Sequence, residues 1–263
     1  MKNVFSQIAF LACLAFAVST GQSFGQTAKY FWQADYEGKL GNEAVGMTLT
    51  LDGDPDEGKL TGKIISATYF YVKHLKDIKL QGKLNGDRNF VFDELDANGN
   101  VAATLTGKFL EKDEQGRKRG LTEYLRGEWQ KKGETTKQPF LFVTNSFGVI
   151  AADSNRYAII DAADDAEFER RVQAFRNAVL KADKQFVANA VRYPISVFIG
   201  KRQVKMRKKA QFLKNYNRIF DREFVARIKA GVPHNMFARY DGAMIGNGDV
   251  WFWGDGKVIA LNN

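Results

Sequence analysis

A short phrase recurs along the first half of the chain: an apolar residue, any residue, glycine, a charged residue, then another apolar residue. It reads Tyr36-Glu37-Gly38-Lys39-Leu40, Leu60-Thr61-Gly62-Lys63-Ile64, Leu80-Gln81-Gly82-Lys83-Leu84, Leu105-Thr106-Gly107-Lys108-Phe109 and Leu125-Arg126-Gly127-Glu128-Trp129. The glycines follow one another at spacings of 24, 20, 25 and 20 residues. That period is too short for a propeller blade and too irregular for a solenoid. It suits two strands and their two turns. Strict alternation supports strands, because Val45, Met47, Leu49 and Leu51 sit two apart. Turn chemistry separates the runs at Asp52-Gly53-Asp54-Pro55, Asn85-Gly86-Asp87 and Asn98-Gly99-Asn100. The expected architecture is an all-β antiparallel meander of roughly eight to ten strands, closed as a barrel or folded as a sandwich. A glycine in mid-strand packs nothing, so it marks a bend or a close backbone approach. The neighbouring Lys39, Lys63, Lys83 and Lys108 are read as solvated edge charges.

Ahead of the meander stands an address. Lys2 is followed by an apolar run from Val4 to Val18, then by small and polar residues up to Gly25. This is the layout of a secretory signal peptide over 1–25, with cleavage near Gly25 and a periplasmic or secreted destination. The run falls short of the ~20 residues that span a bilayer, so the mature chain is expected to carry no transmembrane span. Cys13 is the one cysteine and lies inside this run. Its removal leaves no thiol for disulfides. With only His74 and His234 besides, no metal site is expected.

The formal net charge is +9, from 39 basic and 30 acidic residues. It favours an anionic partner, either an envelope component or another exported protein. Export and the lack of a basic reading helix make nucleic acid an unlikely one. No nucleotide loop or nucleophile elbow occurs, and no cofactor is expected.

The meander is expected over 26–147 and a linker over 148–164, with α+β chain over 165–263. Asp164 with Glu167 three later resembles a capping box. Phe168, Val172, Phe175, Val179, Ala182 and Phe186 then predict one amphipathic helix of about six turns. A hairpin turning at Gly200-Lys201-Arg202 follows, then two helices, the second capped by Asp221. Short strands turning at 246–248 and 254–256 close the chain.

Two resemblances add to this reading. The first half, with Tyr36 to Gly41, Gly127-Glu128-Trp129 and Pro139-Phe140, resembles the small β domains that open many exported bacterial proteins. Three later phrases are Arg192-Tyr193-Pro194-Ile195, Lys209 to Phe220, and Gly246 to Phe252. They resemble an exported branch of the nuclear transport factor 2-like superfamily. That resemblance implies a cone-shaped α+β fold with a curved terminal sheet and a pocket. Tyr193, Phe198, Tyr216, Phe237, Tyr240, Trp251 and Trp253 are the candidates to line the pocket. Isomerases of this fold use a carboxylate base there. Asp241 and Asp249 are the acids nearest the right strands, but both adjoin glycine and read as surface turns. No catalytic residue is assigned.

His234 has no partner at catalytic or metal spacing and reads as a surface or capping residue. The strongest charge signal is Lys201, Arg202, Lys205, Arg207, Lys208 and Lys209, on one hairpin and the following helix start. Such a basic surface suits phosphate or carboxylate groups. The expected function is an exported, non-enzymatic binding protein. The alternative is an isomerase- or dehydratase-like enzyme working in the cone pocket.

Overall fold

The computed structural model describes residues 29–52, 63–85, 88–110, 124–152 and 154–263. The expected signal peptide with Cys13 and Gly25, the repeat centred on Gly62, and the turns at 53–55 and 86–87 lie outside these residues.

Eight strands run up and down in sequence order: β1 (Tyr30–Leu40), β2 (Glu43–Asp52), β3 (Lys63–Tyr71), β4 (Ile78–Asn85), β5 (Asn89–Leu95), β6 (Val101–Leu110), β7 (Tyr124–Lys131) and β8 (Lys137–Ala151). They close into a barrel as β1 pairs antiparallel with both β2 and β8. Of the two expected closures, the barrel is the one formed. An eight-stranded barrel has an interior just wide enough for side chains to fill. Here phenylalanines fill it: Phe90 stacks on Phe92 at 4.6 Å and Phe140 on Phe142 at 4.9 Å.

The repeated glycines make this filling possible. Across the ladders Gly38 faces Phe142, Gly82 faces Phe92, Gly107 faces Phe90 and Gly127 faces Phe140. Each ring lies over the gap its glycine leaves, the pairing known as aromatic rescue. A Cβ on Gly127 would come within 2.1 Å of the Thr106 carbonyl and 2.6 Å of the Phe140 ring. The close approach foreseen for these positions therefore has a specific partner.

β2 is buried on both faces. Val45, Met47 and Leu49 point into the barrel, while Gly46, Thr48 and Thr50 point outward and are covered. The Phe70 ring of β3 lies over Gly46, and Thr48 is met by Arg156 from the rest of the chain. The core of that remaining chain is a second cluster built from Tyr157, Ile160, Phe168, Phe175, Phe212, Phe252 and their neighbours. No residue of the barrel interior belongs to it.

The described residues of 148–164, the stretch expected as a linker, include two regular elements. β8 continues to Ala151, and a short 3₁₀ helix spans Ala158–Ile160. Tyr157 and Ile160 are fully buried, so the apolar run there belongs to the second core.

The expected six-turn helix is two helices, α1 (Asp165–Leu180) and α2 (Lys184–Ala190). Asp164 caps α1 by accepting from the Glu167 amide. The Glu167 side chain turns instead to Arg170 and Arg171, so the box is half formed. α1 ends in a Schellman motif: the amides of Ala182 and Asp183 bond back to the carbonyls of Val179 and Ala178. Ala182 takes a left-handed φ of 53° to do so. Asp183 then caps α2 through the Phe186 amide.

The hairpin β9 (Ile195–Ile199) and β10 (Arg202–Met206) follows as expected. Next come α3 (Lys209–Ile219) and α4 (Arg222–Ala230), the latter capped by Asp221. The chain closes with β11 (Ala238–Arg239), β12 (Gly242–Ile245), β13 (Val250–Phe252) and β14 (Val258–Leu261). These four form one sheet, and β9–β10 form another, with a break between them. The chain end explains the break. The Asn263 side-chain amide donates to the Phe198 carbonyl at 2.7 Å and accepts from its N–H at 2.9 Å. A side chain thus occupies β9 where a further strand would pair. Among the described residues, no helix is long and apolar enough to cross a membrane.

Candidate functional site

The covered face of β2 opens at one side into a cleft of about 840 Å³. One wall is the barrel, with Asp35, Gly46, Thr48 and Phe70. The other is the loop after α4, with Gly231, His234, Met236 and Phe237, and the β12–β13 turn.

Two polar clusters join the walls. The first is centred on Asp35. A β-bulge at Asp35/Tyr36 shifts the register of β1 against β8 at this point, a device that re-aims side chains. Asp35 accepts from Thr48 Oγ1 at 2.7 Å and Ser146 Oγ at 2.9 Å. Arg156, from the segment before α1, grips both carboxylate oxygens at 2.8 and 2.9 Å. Asp165 orients that segment by accepting from the main-chain amides of Arg156 and Tyr157. Burial works against the Arg156 charge, but Asp35 outweighs it and holds the guanidinium above its ordinary value.

The second cluster is centred on His234. Its Nδ1 lies 2.5 Å from Glu169 Oε2, and its Nε2 lies 3.0 Å from Asp77 Oδ1 on the β3–β4 loop. The ring stands edge-on to Phe70 at 4.4 Å. Phe70 can reach it because its cross-strand partner is Gly46, whose missing Cβ leaves space for the ring. Tyr157 donates to Glu169 at 2.6 Å and accepts from the Met236 amide at 2.8 Å. Asn235, at a left-handed φ of 49°, donates its amide to Glu169 and its side chain to Asp77.

Burial opposes charge on His234, yet the bonds to Asp77 and Glu169 and their charges raise its pKa to about 9. It is an imidazolium clamp at neutral pH, with both nitrogens engaged. A general base needs a nitrogen that is unprotonated and within reach of substrate. The expectation of a surface or capping role is corrected: His234 is half-buried between two carboxylates. Those partners lie 65 and 157 residues away in sequence, so no local spacing could reveal them.

The seven aromatic candidates do not converge. Phe237 alone of them lines the cleft. Tyr193 bonds the Ala188 carbonyl and packs on Phe212. Tyr216 is buried below the Lys184 ammonium; its hydroxyl has no hydrogen-bond partner among the described residues, and burial, with Asp183, pushes its pKa up to about 12. Phe198 and Tyr240 are 40% and 76% exposed. Trp251 lies under Arg239, and Trp253 packs on the rim of the second core. Strand alternation is the reason for the Trp251 position: β13 turns Val250 and Phe252 inward. Phe252 then meets Phe175 at 5.4 Å.

Asp241 sits in an exposed turn and pairs with Arg239. Asp249 is buried, against the surface-turn expectation, because Arg227 Nε reaches it at 2.6 Å. Among the described residues no group of three or more His, Cys, Asp or Glu is placed to hold a metal.

The basic residues stay at the surface. Lys201, Arg202, Lys205, Arg207 and Lys208 are exposed on the hairpin and its exit, and Lys209 is half-buried as the first residue of α3. None of the six enters an ion pair among the described residues. α3 starts without a side-chain cap, with Lys208 at the position an acceptor normally takes. Cations there oppose the helix dipole, so the cluster is locally unfavourable. No protein-family model matches the chain, and no curated protein or solved structure is significantly similar to it.

Proposed function

We propose that the chain is an exported, non-enzymatic binding protein that engages an anionic partner through the basic hairpin β9–β10. The observation that carries this reading is a contrast in charge partnering. At the cleft and directly behind it, Asp35, Arg156, Glu169, His234 and Asp249 are all bonded to other protein groups. Across the hairpin and the start of α3, six cations stand with no acidic partner among the described residues, three of them at a helix start that disfavours them. Uncompensated charge raises the energy of the isolated protein and is relieved by an anion. The apolar leader supports export, and the phrases at 192–195, 209–220 and 246–252 support a nuclear transport factor 2-like ancestry for the second part.

The alternative is an isomerase- or dehydratase-like enzyme, and the cleft volume is the observation in its favour. Glu169 and Tyr157 stand behind His234 and do not line the cleft, which weighs against it.

Retention on a carboxylate or phosphate matrix tests the main reading. It is expected to fall steeply as ionic strength rises, since the Debye length shortens from about 10 Å at 0.1 M to about 3 Å at 1 M. Charge reversal at Lys205, Arg207 and Lys208 is expected to abolish it. Retention equal at low and high salt overturns the proposal.

A further inference from the structure

β10 has one unused edge. Among the described residues, its only ladder is with β9. The loop between them is two residues long and begins with Gly200 at φ 62°, the turn form that closes on a hydrogen-bonded pair. Hydrogen-bonded pairs alternate in an antiparallel ladder. From the closing pair Ile199–Arg202, the alternation gives Val197–Val204 and Ile195–Met206 as bonded pairs. The main-chain groups of Phe198 and its partner Gln203 then point away from the ladder. Phe198 obeys this, since its N–H and C=O are bonded by Asn263. On the other side, no hydrogen bond reaches the main chain of Gln203 or Lys205 among the described residues.

We infer that this edge accepts an extended acidic segment of a partner protein as an added β-strand. The inference rests on the proposed anionic binding and names the partner's chemistry. Strand addition needs unpaired main-chain donors and acceptors on an exposed edge, and Gln203 and Lys205 supply them. Charge placement favours a strand over a flat anionic surface. Residues 202, 204 and 206 point to one face of the hairpin, and 203 and 205 to the other. Arg202 and Lys205 therefore flank the edge from opposite faces. A lipid surface would meet one of those faces, whereas an added strand sends alternate side chains to both. Val204 and Phe198, 37% and 40% exposed, offer apolar contact on the two faces.

The probe is a blocked octapeptide of Glu-Glu-Val-Val repeats, which carries acids on both faces when extended. It is tested by calorimetry against the full mature chain, beside the same peptide N-methylated at every residue, because methylation at alternate residues would leave one edge free to pair. Methylation removes outward N–H donors and leaves charge unchanged. Expected are binding of the first peptide, about tenfold weaker binding of the second, and slowed amide exchange at Gln203 and Lys205. In the protein, Gln203→Pro removes an outward N–H and keeps every charge, and about the same loss is expected. A circular dichroism spectrum identical to the parent keeps that comparison valid, and the methylated peptide needs no variant. Equal affinity for both peptides overturns the strand inference and leaves anionic binding standing. Binding to anionic phosphatidylglycerol vesicles but to neither peptide overturns it in favour of a membrane surface. Binding to no anionic probe overturns both proposals.

Discussion

Glycine carries two distinct duties in this chain, and single substitutions separate them. Gly127 exists for close approach: a Cβ there meets backbone and a packed ring at the distances given above. Gly99 has open space around it but a φ of 80°. Gly127→Ala is therefore expected to cost ~2 kcal/mol or more, as overpacking does. Gly99→Ala is expected to cost ~1 kcal/mol through backbone strain alone. Urea unfolding of the two variants checks this, and equal losses would remove the ring-over-glycine explanation. The recurrence of these glycines was legible in the sequence. Their phenylalanine partners were not, because a cross-strand pair depends on register and not on spacing along the chain.

At the scale of elements, the break between α1 and α2 shows how a periodic pattern can mislead. Ala182 and Phe186 continue the apolar spacing of α1, so periodicity extends across a Schellman motif. The local signal was Asp183, a good N-cap residue inside the predicted helix. Alanine is costly at the left-handed position, where glycine is the usual occupant. Ala182→Gly is expected to stabilise the chain by ~0.5–1 kcal/mol. Thermal unfolding checks this, and a loss of stability would argue that the Ala182 methyl makes a contact worth more than its strain. The remaining caps, Asp164 and Asp221, were legible because an N-cap acts within one turn.

The whole molecule is held together where the barrel wall meets the second core, and His234 makes that joint sensitive to pH. The groups that face it are Glu169 from α1, Asp77 from the β3–β4 loop, and the Phe70 ring from β3. Its folded pKa of about 9 exceeds the ordinary 6.5. Its contribution is therefore complete below pH 6.5 and is lost as pH rises through 9. The full contribution is on the order of 3 kcal/mol, because each tenfold gain in proton affinity on folding adds about 1.4 kcal/mol. The stability difference between the parent and His234→Gln is expected to shrink between pH 6 and pH 10. A constant difference over that range would show that the histidine is held neutral.

Alternation, turn residues and caps act over a few positions, so the sequence alone determined the barrel strands, the α+β second half and the run of six cations across the hairpin and the start of α3. Contacts across the fold decided the rest. The seven aromatic candidates scattered because each strand's inward face was settled by neighbours from other elements. His234, Glu169 and Asp77 converged only when the barrel docked against α1 and the loop after α4. The unused edge of β10 arises in the same way. Any strand can pair on both sides, and only the packing of the remaining chain leaves one side open.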